Sequence, residues 1–244
     1  MSAMDRFSEI NERYIDICRR FGITVCIEAE GEPAKVTPFG DHYTIRLRLD
    51  LIPEGQYERY LAYNVRELLL PCIALDTGRL IVRRLTIYDA EPLFESFADA
   101  ESSRLDTGSE PFEVMEGEYL ENFTEIVRDD TRYAIVEKAS GKAVGLINLM
   151  KKDDRQVEAM EIGYCINPSS QRKGYATEAV SAMLKLLQEE LKLELVLANC
   201  VELNTASQKI LERLGFVYEG RRHKAFWDPV PNKPVDLLCY YREV

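Results

Sequence analysis

Residues Gln171 to Ala176 read Gln-Arg-Lys-Gly-Tyr-Ala, a stretch whose residue types suit the capture of an anion. An apolar strand pattern, Met160 to Ile166, precedes it, and a helical pattern, Ala176 to Leu187, follows. A strand that breaks into such a turn and opens a helix aims several free main-chain N–H groups at one point. The first helical turn has no intrahelical partners for its donors, and the macrodipole is positive at that end. Phosphate collects at such corners. Gly174 removes the Cβ that would hold an anion away from the backbone. The expected ligand is therefore phosphorylated. The Walker pattern does not fit, because no glycine stands at the required upstream spacing and Tyr175 follows Gly174. The fingerprint Gly-x-Gly-x-x-Gly is absent as well.

The stretch resembles the pyrophosphate loop of the GNAT acetyltransferases, Gln/Arg-x-x-Gly-x-Gly/Ala, with Gln171, Gly174 and Ala176 at its defined positions. Its flanks extend the likeness. Glu161-Ile-Gly-Tyr-Cys-Ile-Asn-Pro168 lies upstream, and Asn204-Thr-Ala-Ser207 and Leu214-Gly-Phe216 lie downstream. This order resembles the ribosomal-protein N-terminal acetyltransferases, the RimJ/RimL branch. Arg79-Leu-Ile-Val-Arg-Arg resembles that branch's opening strand, and Thr86-Ile-Tyr-Asp-Ala its following turn. The resemblance covers residues 77–244 and does not reach residues 1–76.

What the resemblance implies is specific. In that family the strand before the loop and the strand after its helix run parallel and splay apart. Here these are Glu161–Ile166 and Leu193–Cys200. Exposed main-chain groups in such a gap need a partner. The pantetheine arm of coenzyme A would lie there like an added strand, along Tyr164, Cys165 and Ile166. Its pyrophosphate would fall on the turn formed by Gln171, Arg172, Lys173, Gly174, Tyr175 and Ala176, with Arg172 and Lys173 in reach of the 3′-phosphate. Asn204 would contact the arm and Ser207 the thioester sulfur. The two residues share a helix face, and N-capping is the ordinary role for such an Asn.

Leu211 stands where the family's proton-donating tyrosine is usual, four residues before Gly215, so Ser207 becomes the candidate acid. Glu161 matches a position used as general base in some branches, and apolar neighbours would raise its pKa for that task. A main-chain N–H near Tyr164 or Cys165 would hold the oxyanion. The family transfers directly in a ternary complex, which argues against Cys165 as a covalent nucleophile. The acceptor would enter between the Ala98–Pro111 and Arg221–Pro234 loops, where Trp227 and Asp228 would shape an amine pocket. Asp236 would serve the structure or the substrate.

The implied activity is acetyl transfer from acetyl-CoA, as co-substrate, to a primary amine. That amine would be a protein N-terminus or a small molecule such as a polyamine or an aminoglycoside. The alternative is a non-catalytic acyl-CoA-binding module acting through residues 1–76. A nucleotide hydrolase using the same turn would show itself by Mg²⁺-dependent ATP cleavage.

Composition agrees with a cytoplasmic globular protein. The 244 residues are 46% hydrophobic and 30% charged, enough to bury roughly 70–75% of the unfolded surface. The longest apolar runs are about eight residues, far below the ~20 that span a bilayer. Six single cysteines without a Cys-x-x-Cys pair, and two distant histidines, read as buried reduced thiols and no metal site. A net charge of −11 argues against nucleic acid and suits steering of a cationic amine. A homodimer is one assembly open to the chain.

The elements that must position the turn follow from periodicity. Residues 1–76 predict an α+β unit: helix Asp5–Phe21, strand Ile23–Ile27, a strand over Tyr43 to Asp50, and helix Gln56–Leu70. Residues 77–244 predict a second, α/β unit with a mostly antiparallel twisted sheet. It runs strand Leu80–Leu85, helix Asp89–Ala98 behind a Thr86/Asp89 capping box, polar loop Glu101–Glu110 and helix Phe112–Arg128. Strands Arg132–Lys138, Ala143–Met150 and Val157–Ile166 follow. After the turn and its helix come strand Leu193–Cys200, helix Thr205–Leu214, and strands Phe216–Gly220 and Val235–Arg242.

Overall fold

The computed structural model describes residues 3–28, 37–39, 42–47, 49, 51–53, 55–106 and 110–243. The chain forms two compact units, Met1–Ile73 with Leu186–Leu193, and Ala74–Lys185 with Glu194–Val244.

The first unit contains α1 (Ala3–Arg20), β1 (Thr24–Glu28), β2 (Thr37–Phe39), β3 (His42–Arg46) and α2 (Tyr57–Leu69). In its sheet β3 is central, parallel to β1 and antiparallel to β2. The 3.6-residue period buries Tyr14, Ile17 and Cys18 of α1 and Leu61, Val65 and Leu69 of α2. Leu186–Leu193 belongs to this unit; the Arg66 guanidinium donates to the Leu191 carbonyl at 2.9 Å. Arg48 and Asp50, counted in the expected strand, lie outside the described residues.

The second unit holds β4 (Ala74–Asp76), β5 (Leu80–Arg84), α3 (Ala90–Ala98), α4 (Ala100–Asp106), α5 (Glu118–Arg128), β6 (Arg132–Glu137), β7 (Ala143–Lys152) and β8 (Ala159–Ile166). Then come α6 (Tyr175–Leu184), β9 (Leu195–Val201), α7 (Thr205–Arg213), β10 (Val217–Asp228) and β11 (Lys233–Glu243). One eight-stranded sheet runs β10-β11-β9-β8-β7-β6-β5-β4. Every pair is antiparallel except β8 with β9. The fold is thus a mixed α/β, mostly antiparallel sheet flanked by helices.

Alternation along the strands divides the core. Leu93 of α3 and Tyr119 and Phe123 of α5 pack on Ala134, Val136, Leu146 and Cys165, one face of β6 to β8. Helix α6 packs against β5 and β8 and buries Ala176, Ala179, Val180 and Met183. Thr86 and Asp89 form the expected capping box, closed on a short 3₁₀ turn (Ile87–Asp89) that leads into α3.

Four expectations are corrected. The polar stretch Glu101–Glu110 is not all loop. Asp99 accepts from the Ser102 N–H at 2.8 Å and starts α4, while residues 107–109 lie outside the described residues. The helix expected from Phe112 begins at Glu118, because Gly117 takes φ +54° just before it. The expected Arg221–Pro234 loop is mostly the hairpin β10/β11, whose register shifts at Tyr218/Gly220 and Arg222/Phe226 absorb the irregular sequence. Two of the thiols expected to be buried, Cys26 and Cys72, are exposed.

Candidate active site

Strands β8 and β9 pair only at Ala159↔Leu195, Met160↔Val196 and Glu161↔Leu197. Beyond that point they diverge. Leu195 N–H donates to the Glu158 carbonyl at 3.3 Å, so alternation turns the N–H and C=O of Tyr164 and Ile166 to the same side. On β9, Glu202 N–H donates to Asp236 of β11 at 3.1 Å, which leaves Asn199 and Val201 facing the gap. The Val201 carbonyl accepts from Asn204 N–H at 2.8 Å, and Ile166 O accepts from the Gln171 amide at 3.2 Å. Among the described residues, the main-chain groups of Tyr164 and Asn199 remain open for a ligand that itself carries amides. The Cys165 N–H, by the same alternation, turns toward β7.

The turn after β8 is shaped for an anion. Arg172 (φ 62°) and Gly174 (φ 81°) both take the left-handed conformation, and Gly174 is the N-cap of α6. Among the described residues, the N–H groups from Arg172 to Thr177 find no main-chain carbonyl. Arg79 braces them from below. Its guanidinium donates to the Lys173 carbonyl and to Glu178, each at 2.8 Å, and lies 4.8 Å from the Tyr175 ring centroid. Tyr175 in turn donates to Glu137 at 2.5 Å. Glu178 therefore does more than face the helix dipole. Burial raises its pKa, but hydrogen bonds from Thr77 and Arg79 outweigh it and hold the carboxyl below its ordinary value. Arg79→Ala is expected to leave the sheet intact and weaken acetyl-CoA binding about 3- to 10-fold, the loss of one braced contact. Calorimetry beside circular dichroism separates that result from unfolding.

Helix α3 fixes the other end of the turn. Glu95 accepts from Ser169 N–H (2.6 Å) and its hydroxyl (2.7 Å), and Asn167 bonds Ser96 (2.7 Å) and the Pro92 carbonyl (2.6 Å).

On the α7 side, the Asn204 carboxamide accepts from Ser207 N–H at 3.0 Å, so it caps the helix. The Ser207 hydroxyl lies 3.0 Å from the Tyr164 phenol. These two hydroxyls bridge β8 and α7 alongside the gap. Burial raises the Tyr164 phenol well above its ordinary value, so it stays protonated at neutral pH. Leu211 is completely buried, a core residue of α7.

The acidic residues fall into different situations. Glu161, its side chain 13% exposed, is paired with Lys152 at 2.7 Å. Asp228, 1% exposed, takes both arms of Arg104 at 2.8 Å and ties α4 to β10, so it is spent on structure rather than an amine. Asp236 accepts from Lys224 N–H at 2.8 Å and from Arg221 and His223 at 3.2 Å, which anchors the β10 bulge. Trp227 is half exposed on β10. Asp106, which the sequence did not single out, closes α4. It is accessible to water, yet enough protein crowds its carboxyl that desolvation, with Asp99's charge added, pushes its pKa up to about 7. Burial pushes the Cys165 thiol up to about 12, with a contribution from Asp106, so it is no thiolate nucleophile.

A family profile described as acetyltransferase (GNAT) domain matches residues 79–217, spanning β5, the turn, α6, the diverging strands and α7. The chain belongs to the GNAT acetyltransferases. This GNAT chain is 31% identical over 150 residues to YoaA of Bacillus subtilis (strain 168), an uncharacterized N-acetyltransferase, covering 60% of this chain and 84% of YoaA. A GNAT-family acetyltransferase of Bacillus anthracis superposes with a TM-score of 0.60 at 26% identity, covering 70% of this chain and 98% of that one. The ribosomal-protein-S5-alanine acetyltransferase of Vibrio fischeri shares the fold at a TM-score of 0.57 and 19% identity, covering 70% and 96%. The protein is an acetyltransferase enzyme, and enzymes of this family use acetyl-CoA as co-substrate. Among the described residues no helix is long and apolar enough to cross a membrane.

Proposed function

We propose that this GNAT enzyme moves the acetyl group of acetyl-CoA to a primary amine by direct attack in a ternary complex. The observation that carries the reading is a pair of surfaces without main-chain partners among the described residues: the N–H groups from Arg172 to Thr177, and the main-chain groups of Tyr164 and Asn199 that face the gap. A diphosphate fits the first and an amide-bearing arm the second. The acyl oxygen then meets the Tyr164 N–H, and the departing thiolate meets the Ser207 hydroxyl, with the Tyr164 phenol behind it to restore the proton. Asn204 holds Ser207 in place through its cap.

The RimJ/RimL likeness favours a protein N-terminus, and a polyamine or aminoglycoside amine is the small-molecule counterpart. A non-catalytic coenzyme-binding role draws no support from the site, since the Tyr164 and Ser207 hydroxyls stand beside the opening. Thiol release measured with acetyl-CoA over an amine panel tests the reading. Turnover with at least one primary amine is expected, and tight binding with no turnover on any amine refutes it.

Glu161 was expected as base, but a base must be free to take a proton, and Lys152 holds one of its oxygens. Glu161→Gln is expected to lower kcat less than about 10-fold, the range of a lost positioning charge rather than of general-base catalysis, worth about 100- to 10,000-fold. Steady-state kinetics reads this, and a 100-fold loss with acetyl-CoA affinity intact restores Glu161 as the base.

A further inference from the structure

Helices α3 and α5 cover one face of the sheet, and Cys165 packs against the core they make there. Tyr164, the residue before it on β8, points to the other face, where its phenol meets Ser207 of α7. At the gap that second face is occupied, so an acceptor reaches the acyl carbon from the first. Strand register carries the first face across the sheet: Gly163 of β8, Asn199 of β9, Cys239 of β11 and Arg222 of β10 lie on it. Gly163, Asn199 and Cys239 are only half-buried, an open floor leading outward from the gap. The acids of β8 and β10 are each held by a cation. Glu161 pairs with Lys152 at 2.7 Å, Glu219 takes both arms of Arg155 at 2.6 and 2.8 Å, and Asp228 takes both arms of Arg104. The cations of β10 are divided. Arg221 and His223 are spent on Asp236, at 3.2 Å each. Arg222, between them, is exposed on the first face, and among the described residues no carboxylate pairs with it. Burial raises the Cys239 thiol, and the Arg222 charge opposes that rise, as a guanidinium over the same face must.

We propose that the acceptor is a polypeptide N-terminus with an acidic side chain at its second or third residue, and that Arg222 pairs with that side chain. This assignment rests on the acetyl-transfer reading and supplies its substrate class. Distance sets the position. Strand β10 lies two strand spacings beyond β9, about 10 Å, and an extended chain advances about 3.4 Å per residue. A free amino acid keeps its carboxylate beside its own amine, too near the gap to meet Arg222. An aspartate or glutamate one or two residues along spans the interval, and a guanidinium fork matches its carboxylate in two hydrogen bonds. A polyamine instead brings further cations, which would meet Arg222 while Glu161, Glu219 and Asp228 are already taken. The net charge of −11 does not cancel this preference, because exposed charges farther apart than about 8 Å are largely screened at physiological salt. An exposed ion pair contributes modestly. Arg222 therefore selects among acceptors and takes no part in the bond-making step.

The experiment uses the full-length enzyme with coenzyme A bound and two peptides, Ser-Asp-Ala-Ala and Ser-Lys-Ala-Ala, amidated so that no terminal carboxylate competes. Calorimetry is expected to show the acidic peptide binding about 10-fold tighter, since attraction on one side adds to repulsion on the other. Arg222→Glu is expected to reverse the order, and Arg222→Ser to bring the two peptides within about twofold of each other. Equal affinities in the wild type, a preference for the lysine peptide, or an acidic preference that survives Arg222→Glu overturns the proposal. Binding of neither peptide overturns it as well. Thiol release with acetyl-CoA then separates this assignment from the reading beneath it. Selective binding without turnover of any amine counts against acetyl transfer and leaves the Arg222 contact standing. Turnover of spermidine with no discrimination between the peptides counts against Arg222 alone.

Discussion

Gly174→Asp should weaken acetyl-CoA binding about 100-fold, about 2.7 kcal/mol. Gly174 sits at φ 81° as the N-cap of α6, and aspartate is among the few other residues that tolerate left-handed backbone and caps a helix well. The new side chain therefore puts little strain on the turn. It does place a negative charge and a Cβ where the N–H groups from Arg172 to Thr177 converge, with Arg79 the nearest neighbour at 3.5 Å. A diphosphate must then approach a like charge in its own cradle, which reverses the favourable field of the helix end. Calorimetry of the variant reads the loss directly, and an unchanged melting temperature shows that the fold is intact. Affinity within threefold of wild type means that the phosphates lie elsewhere.

Asp89→Ala should destabilise the fold by about 2–4 kcal/mol. The Asp89 side chain is 4% exposed and receives Arg83 through both arms at 2.8 Å and Thr86 through its N–H and hydroxyl at 2.9 Å. Removing one member of such a pair strands the other, which costs about 3–5 kcal/mol when both are buried. Arg83 is a third exposed, so water recovers part of that. Burial raises the Asp89 pKa, but hydrogen bonds from Arg83 and Thr86 outweigh it and hold it below the ordinary carboxylate value. The sign is fixed by that depression. The stabilisation is complete above the unfolded carboxyl pKa, about 4, and is lost as pH falls through the lower folded value. Urea unfolding followed at Trp227, the chain's single tryptophan, should show a wide gap between variant and wild type at pH 7. That gap should narrow in acid; a constant gap contradicts the electrostatic account.

Local signals carried much of the fold. Apolar periods located β5 to β9, α3 and α6 to within a few residues, because each period is set by one face meeting the core. The anion turn was legible for the same reason: a Gly before a helix after an apolar strand is local chemistry. The failures were long-range. Arg79 reads as the start of a strand, and nothing near it reveals that it grips Lys173 and Glu178. The hairpin β10/β11 was mistaken for loop because its bulges break the period of two that strand reading relies on. Leu186–Leu193 continues a helical pattern after α6, yet it joins the first unit through contacts such as Arg66 with Leu191. Glu161 was given chemistry by its position on the strand, and only the fold reveals Lys152 beside it.

The central claim is that a diphosphate-bearing acyl carrier occupies the turn and the opening together. Hydrogen–deuterium exchange with and without acetyl-CoA tests it most directly. Slowed exchange at the amides of Arg172 to Thr177 and at Tyr164, with the first unit unchanged, is the predicted result. Protection confined to other segments, or no change at saturating acetyl-CoA, contradicts it.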